Sequence, residues 1–439
     1  MRNTLKAICF LALLSSAQEA SLASAIDPSL LNIAPSATPS VQGTTNLTVA
    51  FDETLINSPR AATLRAQLGI SRAAYAQAFT LPNPSFFFLN DTAQRARQVG
   101  ASIPIESPWK LAFRLLLAKS QIKLTDIEIQ RNLWQLRSSV RRAYLDVVMA
   151  KETCATLEEL QTLSATLVSI SRRRFSASDV AEYDVERSSL ANMQAEADYK
   201  QSLKRLEQAR QKLTVMMGRD YHQAVDVKRL PMFKLSAEAN ELLPDFTKEL
   251  PSLDELVNDA LKNRLDLKAV EQRSAVNKSN MRSAKANILP NSQFNIGNSY
   301  SGNPPDGPAT RGYFIGVTQE IPLLNFQQGD IARFRAISIQ LIRELEASKN
   351  IATEEVISAY QQLAAARERV GLFQSQIIPA SEKVAKMARR GYEVGQNDIT
   401  STLAAQQANV QTKVSYLEAV RNYQQALTDL EQAIGHPLG

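Results

Sequence analysis

The chain has 439 residues, of which only 15 are glycine, about half the usual share of that residue. Its net charge of +6 comes from 50 basic and 44 acidic residues spread along the chain, whereas a nucleic-acid-binding protein usually concentrates its basic residues in one stripe. Two histidines and two cysteines leave little material for a metal cluster or a nucleophile–base pair. The composition therefore predicts no metal site, no cofactor, no nucleic-acid partner and no enzyme.

Residues 1–25 have the form of a secretory signal peptide. Arg2 and Lys6 precede an apolar run at 7–14, and residues 23–25 (Ala-Ser-Ala) supply a small-x-small cleavage site. Residues 26–52 are rich in Ser, Thr and Pro and are predicted to be a flexible N-terminal leader. No later segment has about 18 uncharged apolar residues, so a membrane span would have to consist of strands.

Long stretches without glycine or proline predict long helices, because both residues are disfavoured inside helices. Glycine is absent between Gly100 and Gly218, and proline is absent between Pro108 and Pro231. Apolar residues in these stretches recur every three or four positions, which is typical of coiled-coil packing. The helices predicted in chain order are 54–80, 108–174, 180–217, 253–288, 326–390 and 397–434. Pro379 is expected to bend the fifth of them.

The chain contains two copies of one plan. Residues 140–144 and 356–360, each ending in Ala-Tyr, lie near the middle of the two longest predicted helices. Residues 81–83 and 289–291 both read Leu-Pro-Asn, and a later Ile-Pro pair also recurs at 103–104 and 321–322. The predicted domains are repeat 1 at 53–218, an irregular equatorial connector at 219–252 and repeat 2 at 253–439, with β-hairpins at about 84–106 and 291–323.

The clearest strand signal runs from residue 312 to residue 321. It places Tyr313, Ile315 and Val317 on one face and glycine, threonine and glutamate on the other, with Phe314 as an exception. Alternation over about ten residues is typical of a membrane barrel strand. The two hairpins supply four strands, which are too few to close a barrel, so several chains would have to pool them. The alternative is a pair of soluble hairpins at the end of a helical bundle.

The order of these features in both repeats, with a tip sequence at 390–395 (Arg-Gly-Tyr-Glu-Val-Gly), resembles the TolC-type outer-membrane efflux proteins over residues 53–436. The resemblance implies a mainly α fold with a small β part. Each chain would be a two-repeat elongated α-helical coiled-coil tunnel subunit, and it would contribute four strands to a trimeric 12-stranded transmembrane β-barrel.

The resemblance also implies a function, which is a passive exit duct of a tripartite efflux or type I secretion system. The duct would lie in the bacterial outer membrane and extend into the periplasm. The implied partners are two further copies of the chain, a periplasmic adaptor (membrane fusion protein), an inner-membrane transporter and outer-membrane lipid. The alternative from another class is a soluble periplasmic coiled-coil scaffold or adaptor. Drugs, metal ions and polypeptides all remain open as cargo.

Three residues correspond to the latch that closes the periplasmic end in this family. The resemblance implies a bond between Tyr392 on the second-repeat tip and Asp184 on the first-repeat tip. Asn397 stands where the family has an assisting arginine. An Asn–Asp hydrogen bond lacks charge assistance on the donor side, so this part of the latch is expected to be weaker.

Four further residues are candidates for lining the constriction. Ser401 and Ala404 occupy the positions of the family's inward aspartates, so the carboxylate ring is absent from those positions. Asp398 and Glu182 are the candidates for a displaced acidic ring, which would favour cations. The alternative for Asp398 is a helix N-cap, because it directly precedes a predicted helix.

The adaptor-facing tips differ between the repeats. Val394 and Gly395 keep the family pattern, in which glycine supplies a positive φ between two helices. The first repeat has Ala177 and Ser178 instead. Serine in that conformation costs roughly 1 kcal/mol, so either the turn or the adaptor contact is expected to differ. Arg172–Arg174 form either an adaptor-binding patch or a solvated helix end stabilised by the helix dipole.

Overall fold

A computed structural model describes residues 45–91, 96–222, 225–227, 230, 232, 242–246, 248–301 and 310–438. The predicted signal peptide and most of the predicted leader lie outside these residues. The helices of the first repeat are α1 (Leu47–Asn57), α2 (Pro59–Gln77), α3 (Pro108–Ser176) and α4 (Glu182–Met216). Those of the second are α5 (Leu253–Asn263), α6 (Leu265–Ala286), α7 (Gln328–Leu372), α8 (Ile378–Glu393) and α9 (Ile399–Ile434).

The first predicted helix of each repeat is two helices. Residues 54–80 are interrupted at Ser58, where the following Pro59 disfavours a helical conformation. Residues 253–288 are interrupted at Arg264, which has an extended ψ of 126°. Helix α1 also begins at Leu47, inside the range 26–52 predicted as leader. Composition misses this start because α1 is held by burial, with Ala50 and Thr54 almost fully enclosed.

A glycine closes each repeat and packs against the break between that repeat's first two helices. Gly218 and Gly435 have φ values of 80° and 83°, which favour glycine. A Cβ on Gly218 would lie 3.0 Å from the Ser58 nitrogen, and one on Gly435 would lie 3.2 Å from the Arg264 Cα and nitrogen. The two repeats therefore end with the same local packing.

The long helices of the two repeats differ at Pro379. Helix α3 is continuous over 69 residues, whereas a five-residue π-helical segment, Phe373–Ile377, separates α7 from α8. The Ile378 N–H donates to the Phe373 carbonyl, five residues earlier. Proline lacks an N–H and crowds the carbonyl four residues before it, and a wider turn relieves this crowding. The structure thus has an interruption of the α-helical hydrogen-bond ladder at the place where the sequence predicts a bend.

The strands form one antiparallel sheet in the order β1 (Ser85–Asp91), β2 (Ala96–Ile105), β3 (Ser292–Ser301) and β4 (Thr310–Thr318). The two hairpins join through β2 and β3, so the sheet combines both repeats. Strand β4 ends at Thr318, three residues before the predicted end. The prediction of a mainly helical two-repeat fold with four strands is confirmed.

The chain divides into two compact units, and each draws on both repeats. Unit 1 contains the described residues of Leu64–Gln130 and Leu265–Ser348, including the whole sheet. Unit 2 contains those of Pro35–Thr63, Arg131–Arg264 and Lys349–Gly439. The main hydrophobic core lies in unit 2, where α3, α4, α7 and α9 bury Leu145, Leu213, Leu363 and Leu430. None of the described helices combines the length and the apolar composition that a membrane-spanning helix requires.

Candidate functional site

The two helix tips in unit 2 have the same backbone hydrogen bonds, shifted by 217 residues. In the first-repeat tip, between α3 and α4, the Ser178 N–H donates to Phe175 O (2.8 Å) and the Asp179 N–H to Arg174 O (2.9 Å). In the second-repeat tip, between α8 and α9, the N–H of Gly395 donates to Tyr392 O (3.2 Å) and that of Gln396 to Gly391 O (2.8 Å). Both turns are of the Schellman type.

Ser178 and Gly395 occupy the same left-handed position. Their φ values are 60° and 80°. The first tip therefore keeps the turn although it lacks glycine, which resolves the alternative that the turn itself differs. Ala177, Ser178, Val394 and Gly395 are all exposed. The left-handed backbone at Ser178 costs about 1–2 kcal/mol of stability, which the hydrogen bonds of the turn offset.

Tyr392 is buried at the centre of a small cluster that joins the two tips. It is 1% exposed and packs with Leu167 of α3 and Ile399 of α9. Its hydroxyl lies 2.6 Å from the hydroxyl of Ser171, which is fully buried. The latch implied by resemblance paired Tyr392 with Asp184. Within the described part of one chain, the Tyr392 hydroxyl instead pairs with Ser171 of α3.

Asp184 lies in the first turn of α4, where it is half-buried. Its backbone N–H donates to Ala181 O at 3.0 Å, as expected at a helix start. Its carboxylate accepts no hydrogen bond within the described part of the chain. A carboxylate in the first turn is favourable next to the positive end of the helix dipole.

Arg174 connects both tips through three contacts. Its Nη1 donates to the Tyr392 carbonyl oxygen at 3.1 Å, and its guanidinium carbon lies 5.0 Å from the centre of the Tyr392 ring. Its Nε donates to Asp179 Oδ2 at 3.1 Å. Only 18% of the side chain is exposed. Arg174 is therefore part of the tip packing, while its neighbours Arg172 and Arg173 are exposed.

The side chain of Asn397 packs within the second-repeat tip. Its side chain lies against Gly391, where a Cβ would stand 2.7 Å from the Asn397 Cγ. Its Nδ2 donates to Ala388 O at 3.4 Å. The predicted role of Asn397 in a bond to Asp184 is not seen within one chain, because the amide group is held close to α8.

Asp398 is the N-cap of α9. Its two carboxylate oxygens each accept from the Ser401 N–H at 3.4 Å. Hydrogen bonding from Ser401 lowers the pKa of the Asp398 carboxyl below its ordinary value, against a smaller opposing effect of desolvation. Glu182, Asp398, Ser401 and Ala404 are all exposed, so each is available to a conduit formed with other copies.

One face of the sheet in unit 1 is mostly apolar and exposed, with Arg97, Asn298 and Arg311 as polar exceptions. Tyr313, Ile315 and Val317 of β4 are 90%, 71% and 67% exposed. The register continues this face across the sheet, since Ile315 lies opposite Ile296, and Val317 opposite Phe294. Further exposed members of the apolar face are Phe86, Phe88, Val99, Ile103 and Tyr300. The predicted outward-facing residues thus belong to a surface that covers all four strands.

The opposite face is mostly polar or glycine. Asn295 Nδ2 donates to Thr318 Oγ1 at 2.8 Å, and Ser102 Oγ to Gln293 Oε1 at 3.2 Å. Phe314, the exception in the sequence pattern, pairs here with Phe87, with ring centres 5.8 Å apart. Both rings lie over Gly100, where a Cβ would come within 3.0 Å of each. The two rings therefore cover the glycine backbone.

Sequence reasoning missed the roles of Ser171, Arg174 and Asp179. The repeat offset could have indicated Arg174, because 217 residues later the chain has Gly391, so only one tip carries a large cationic side chain at this position. No group of three or more His, Cys, Asp or Glu residues in the described ranges is arranged to hold a metal ion. Cys154 is a buried free thiol.

Residues 256–436 match the sequence model of the family described as outer membrane efflux protein. The chain is 23% identical over 373 residues to the cobalt-zinc-cadmium resistance protein CzcC of Cupriavidus metallidurans, covering 84% of this chain and 85% of that protein. Among solved structures it resembles CusC (TM-score 0.68, 14% identity, 92% of this chain and 97% of the other). It also resembles the open state of the Neisseria gonorrhoeae MtrE outer membrane channel (0.66, 16%, 92% and 94%).

Proposed function

We propose that the chain is an outer membrane efflux protein and that, as a homotrimer in the outer membrane, it forms the passive exit duct of a tripartite efflux system; the match of residues 256–436 to that family supports this. The duct lowers the barrier to cargo by providing an aqueous path and performs no chemistry of its own. A periplasmic adaptor recruits it at the helix tips, and an inner-membrane transporter supplies the energy.

The observation that carries this proposal is the sheet of unit 1. An apolar face of this extent on four strands is costly in water and favourable in lipid. Strands β1 and β4 are the two edges of the sheet within the described chain, so their outer backbone groups lack partners in this sheet. Unpaired edges are not tolerated in hydrocarbon. The edges therefore favour pairing between several copies, and in the proposed trimer three copies would close a barrel of twelve strands.

A lysine substitution on each face of the sheet tests the proposal. Ile315→Lys places a charge on the apolar face, where lysine near the bilayer midplane costs about 2–4 kcal/mol. Gln98→Lys is the matched control, because Gln98 is exposed on the opposite face. We expect Ile315→Lys to reduce the detergent-stable trimer in outer-membrane fractions, and Gln98→Lys to leave it near the wild-type amount.

The outcome that would contradict the proposal is recovery of the wild-type chain as a soluble monomer. A soluble periplasmic scaffold or adaptor predicts that result, and it also predicts similar effects of the two lysine variants. Membrane fractionation followed by gel analysis of unheated samples distinguishes these possibilities.

The likeness to CzcC favours one cargo class for the first test. That relative is named for resistance to cobalt, zinc and cadmium, and the similarity extends over 84% of this chain. We propose divalent transition-metal cations as cargo. Deletion of the gene should then lower tolerance to these cations, and complementation should restore it. Unchanged metal tolerance with loss of drug tolerance, or of a secreted polypeptide, would instead assign a drug efflux or type I secretion role.

A further inference from the structure

We propose that the loop at residues 321–327, which joins β4 to α7, is a lipid anchor at the boundary of the membrane. Its side chains Leu323, Leu324 and Phe326 enter the hydrocarbon of the inner leaflet of the outer membrane. The proposal rests on the proposed channel function, and it extends the lipid contact from the sheet to this loop. We name residues 321–327 the anchor loop.

The anchor loop exposes its large apolar side chains. Leu324 is 90% exposed, and Ile321, Leu323 and Phe326 are exposed as well. Single exposed apolar residues are common on soluble surfaces, but a contiguous group of them usually marks an interaction site. We therefore expect the loop to contact a partner outside its own chain.

The first repeat has an ion pair where the anchor loop has a leucine. At an offset of 218 residues, the counterpart of Leu324 is Glu106. Arg114 Nη1 donates to Glu106 Oε1 at 2.9 Å, and only 9% of the Glu106 side chain is exposed. The counterpart of Arg114 is Ala332, which cannot form an ion pair. The first-repeat junction is thus held to α3 by charge, whereas the second-repeat junction presents an apolar side chain outward.

Hydrogen bonds within the anchor loop satisfy backbone groups that water would otherwise satisfy. The N–H of Phe326 donates to Gln328 Oε1 at 2.7 Å, and that of Gln327 donates to Asn325 Oδ1 at 3.0 Å. Gln328 Nε2 donates to Leu324 O at 3.3 Å. An unpaired backbone group is costly in hydrocarbon, whereas at a wet surface water pairs with it at little cost. These bonds therefore favour lipid as the surroundings of the loop.

The length of β4 places the anchor loop at the edge of the apolar band. The nine residues of β4, at about 3.3 Å each and a tilt of about 40°, rise about 23 Å, close to the band height of about 25 Å on membrane barrels. Residues 321–329 carry no charge and lie between Glu320 and Asp330. The loop is thus the uncharged continuation of a strand whose apolar face is proposed to contact lipid. In the proposed channel this end is periplasmic, because the long helices begin here.

The test uses a nitroxide spin label at Leu324→Cys, in a chain in which Cys9 and Cys154 are replaced by serine. Ile315→Cys on the apolar face is the reference for hydrocarbon, and Gln98→Cys on the opposite face is the reference for water. Each protein is reconstituted as a detergent-stable trimer in vesicles of phosphatidylethanolamine and phosphatidylglycerol. Collisions of the label with oxygen, which concentrates in hydrocarbon, are compared with collisions with a water-soluble nickel chelate.

We expect the label at Leu324→Cys to meet oxygen more often than the chelate, as at Ile315→Cys, and the label at Gln98→Cys to show the reverse order. Leu323→Cys repeats the measurement if Leu324→Cys assembles poorly.

Two results would overturn the anchor alone, provided that the label at Ile315→Cys lies in hydrocarbon. In the first, the label at Leu324→Cys meets the chelate more often than oxygen, so that the loop lies in water. In the second, neither reagent reaches the label, so that a neighbouring copy covers the loop. A label at Ile315→Cys that itself meets the chelate more often would instead contradict the proposed channel together with the anchor.

Discussion

At the residue scale, Asp398 has one role that the structure displays and one that depends on other copies. It caps α9 through the Ser401 N–H, and its carboxylate is exposed. The cap needs an acceptor oxygen, whereas a cation-selective ring needs a charge. Asparagine keeps the acceptor and removes the charge, so it separates the two roles.

We predict that Asp398→Ala lowers the thermal stability of the protein and that Asp398→Asn preserves it, because asparagine and aspartate are equally good N-caps. Thermal unfolding followed by circular dichroism measures this. The reversal potential in a salt gradient measures the second role. A shift toward lower cation selectivity in both variants places the carboxylate on the conduction path, and an unchanged potential leaves it as a cap.

The lowered pKa of Asp398 also predicts a pH dependence. A carboxyl whose pKa falls on folding contributes its full stabilisation above the unfolded pKa and loses it as the pH falls through the folded pKa. The stability difference between wild type and Asp398→Asn should therefore be constant near neutral pH. Below pH ~4 the wild type should lose stability relative to Asp398→Asn. Melting curves at several pH values in this range test it, and a constant difference down to pH ~2 would contradict the assignment.

Gly391→Ala tests the packing of Asn397. The added methyl would collide with the Asn397 side chain and displace its hydrogen bond to Ala388. Overpacking of this kind costs about 1–3 kcal/mol. Gly69→Ala is the control, because it has nothing within 4 Å on helix α2 and should be neutral or stabilising. Equal melting temperatures for the two variants would contradict the predicted collision.

At the element scale, the two tips show how far a repeat can be inferred from sequence. Their order and the glycine turn of the second tip follow from matched offsets in the sequence. The turn at Ser178 and the N-cap role of Asp398 were only alternatives there, and the structure shows both. The partner of Tyr392 does not follow, because Ser171 lies one helical turn before the tip and many hydroxyls at similar positions point elsewhere. The sequence analysis also missed the breaks at Ser58 and Arg264. The proline after Ser58 could have indicated the first break, whereas no proline follows Arg264.

A pair of reciprocal substitutions tests the tip turns. Ser178→Gly should stabilise the protein by about 1 kcal/mol, because it removes the left-handed strain from the first tip. Gly395→Ser should destabilise it by a similar amount, since it introduces that strain into the second tip. Thermal or denaturant unfolding measures both. Shifts of the same sign in the two variants would mean that other contacts dominate the turns.

At the scale of the whole molecule, the sheet formed by one chain has edge strands that another copy could pair with. The helical core of unit 2 consists of buried side chains, whereas the sheet of unit 1, in the part of the chain that the structure describes, has two unpaired edge strands and exposes a mostly apolar face. The alternation in β4 predicted that face from the sequence. The pairing of β2 with β3 and the contact between the Phe87 and Phe314 rings join residues about 200 positions apart, so they could not be predicted from local sequence patterns.

The most direct test of the account is single-channel recording from the purified wild-type protein in planar lipid bilayers. The account predicts stepwise ionic currents carried by a detergent-stable trimer. A protein that remains monomeric and adds no current to the bilayer would contradict it.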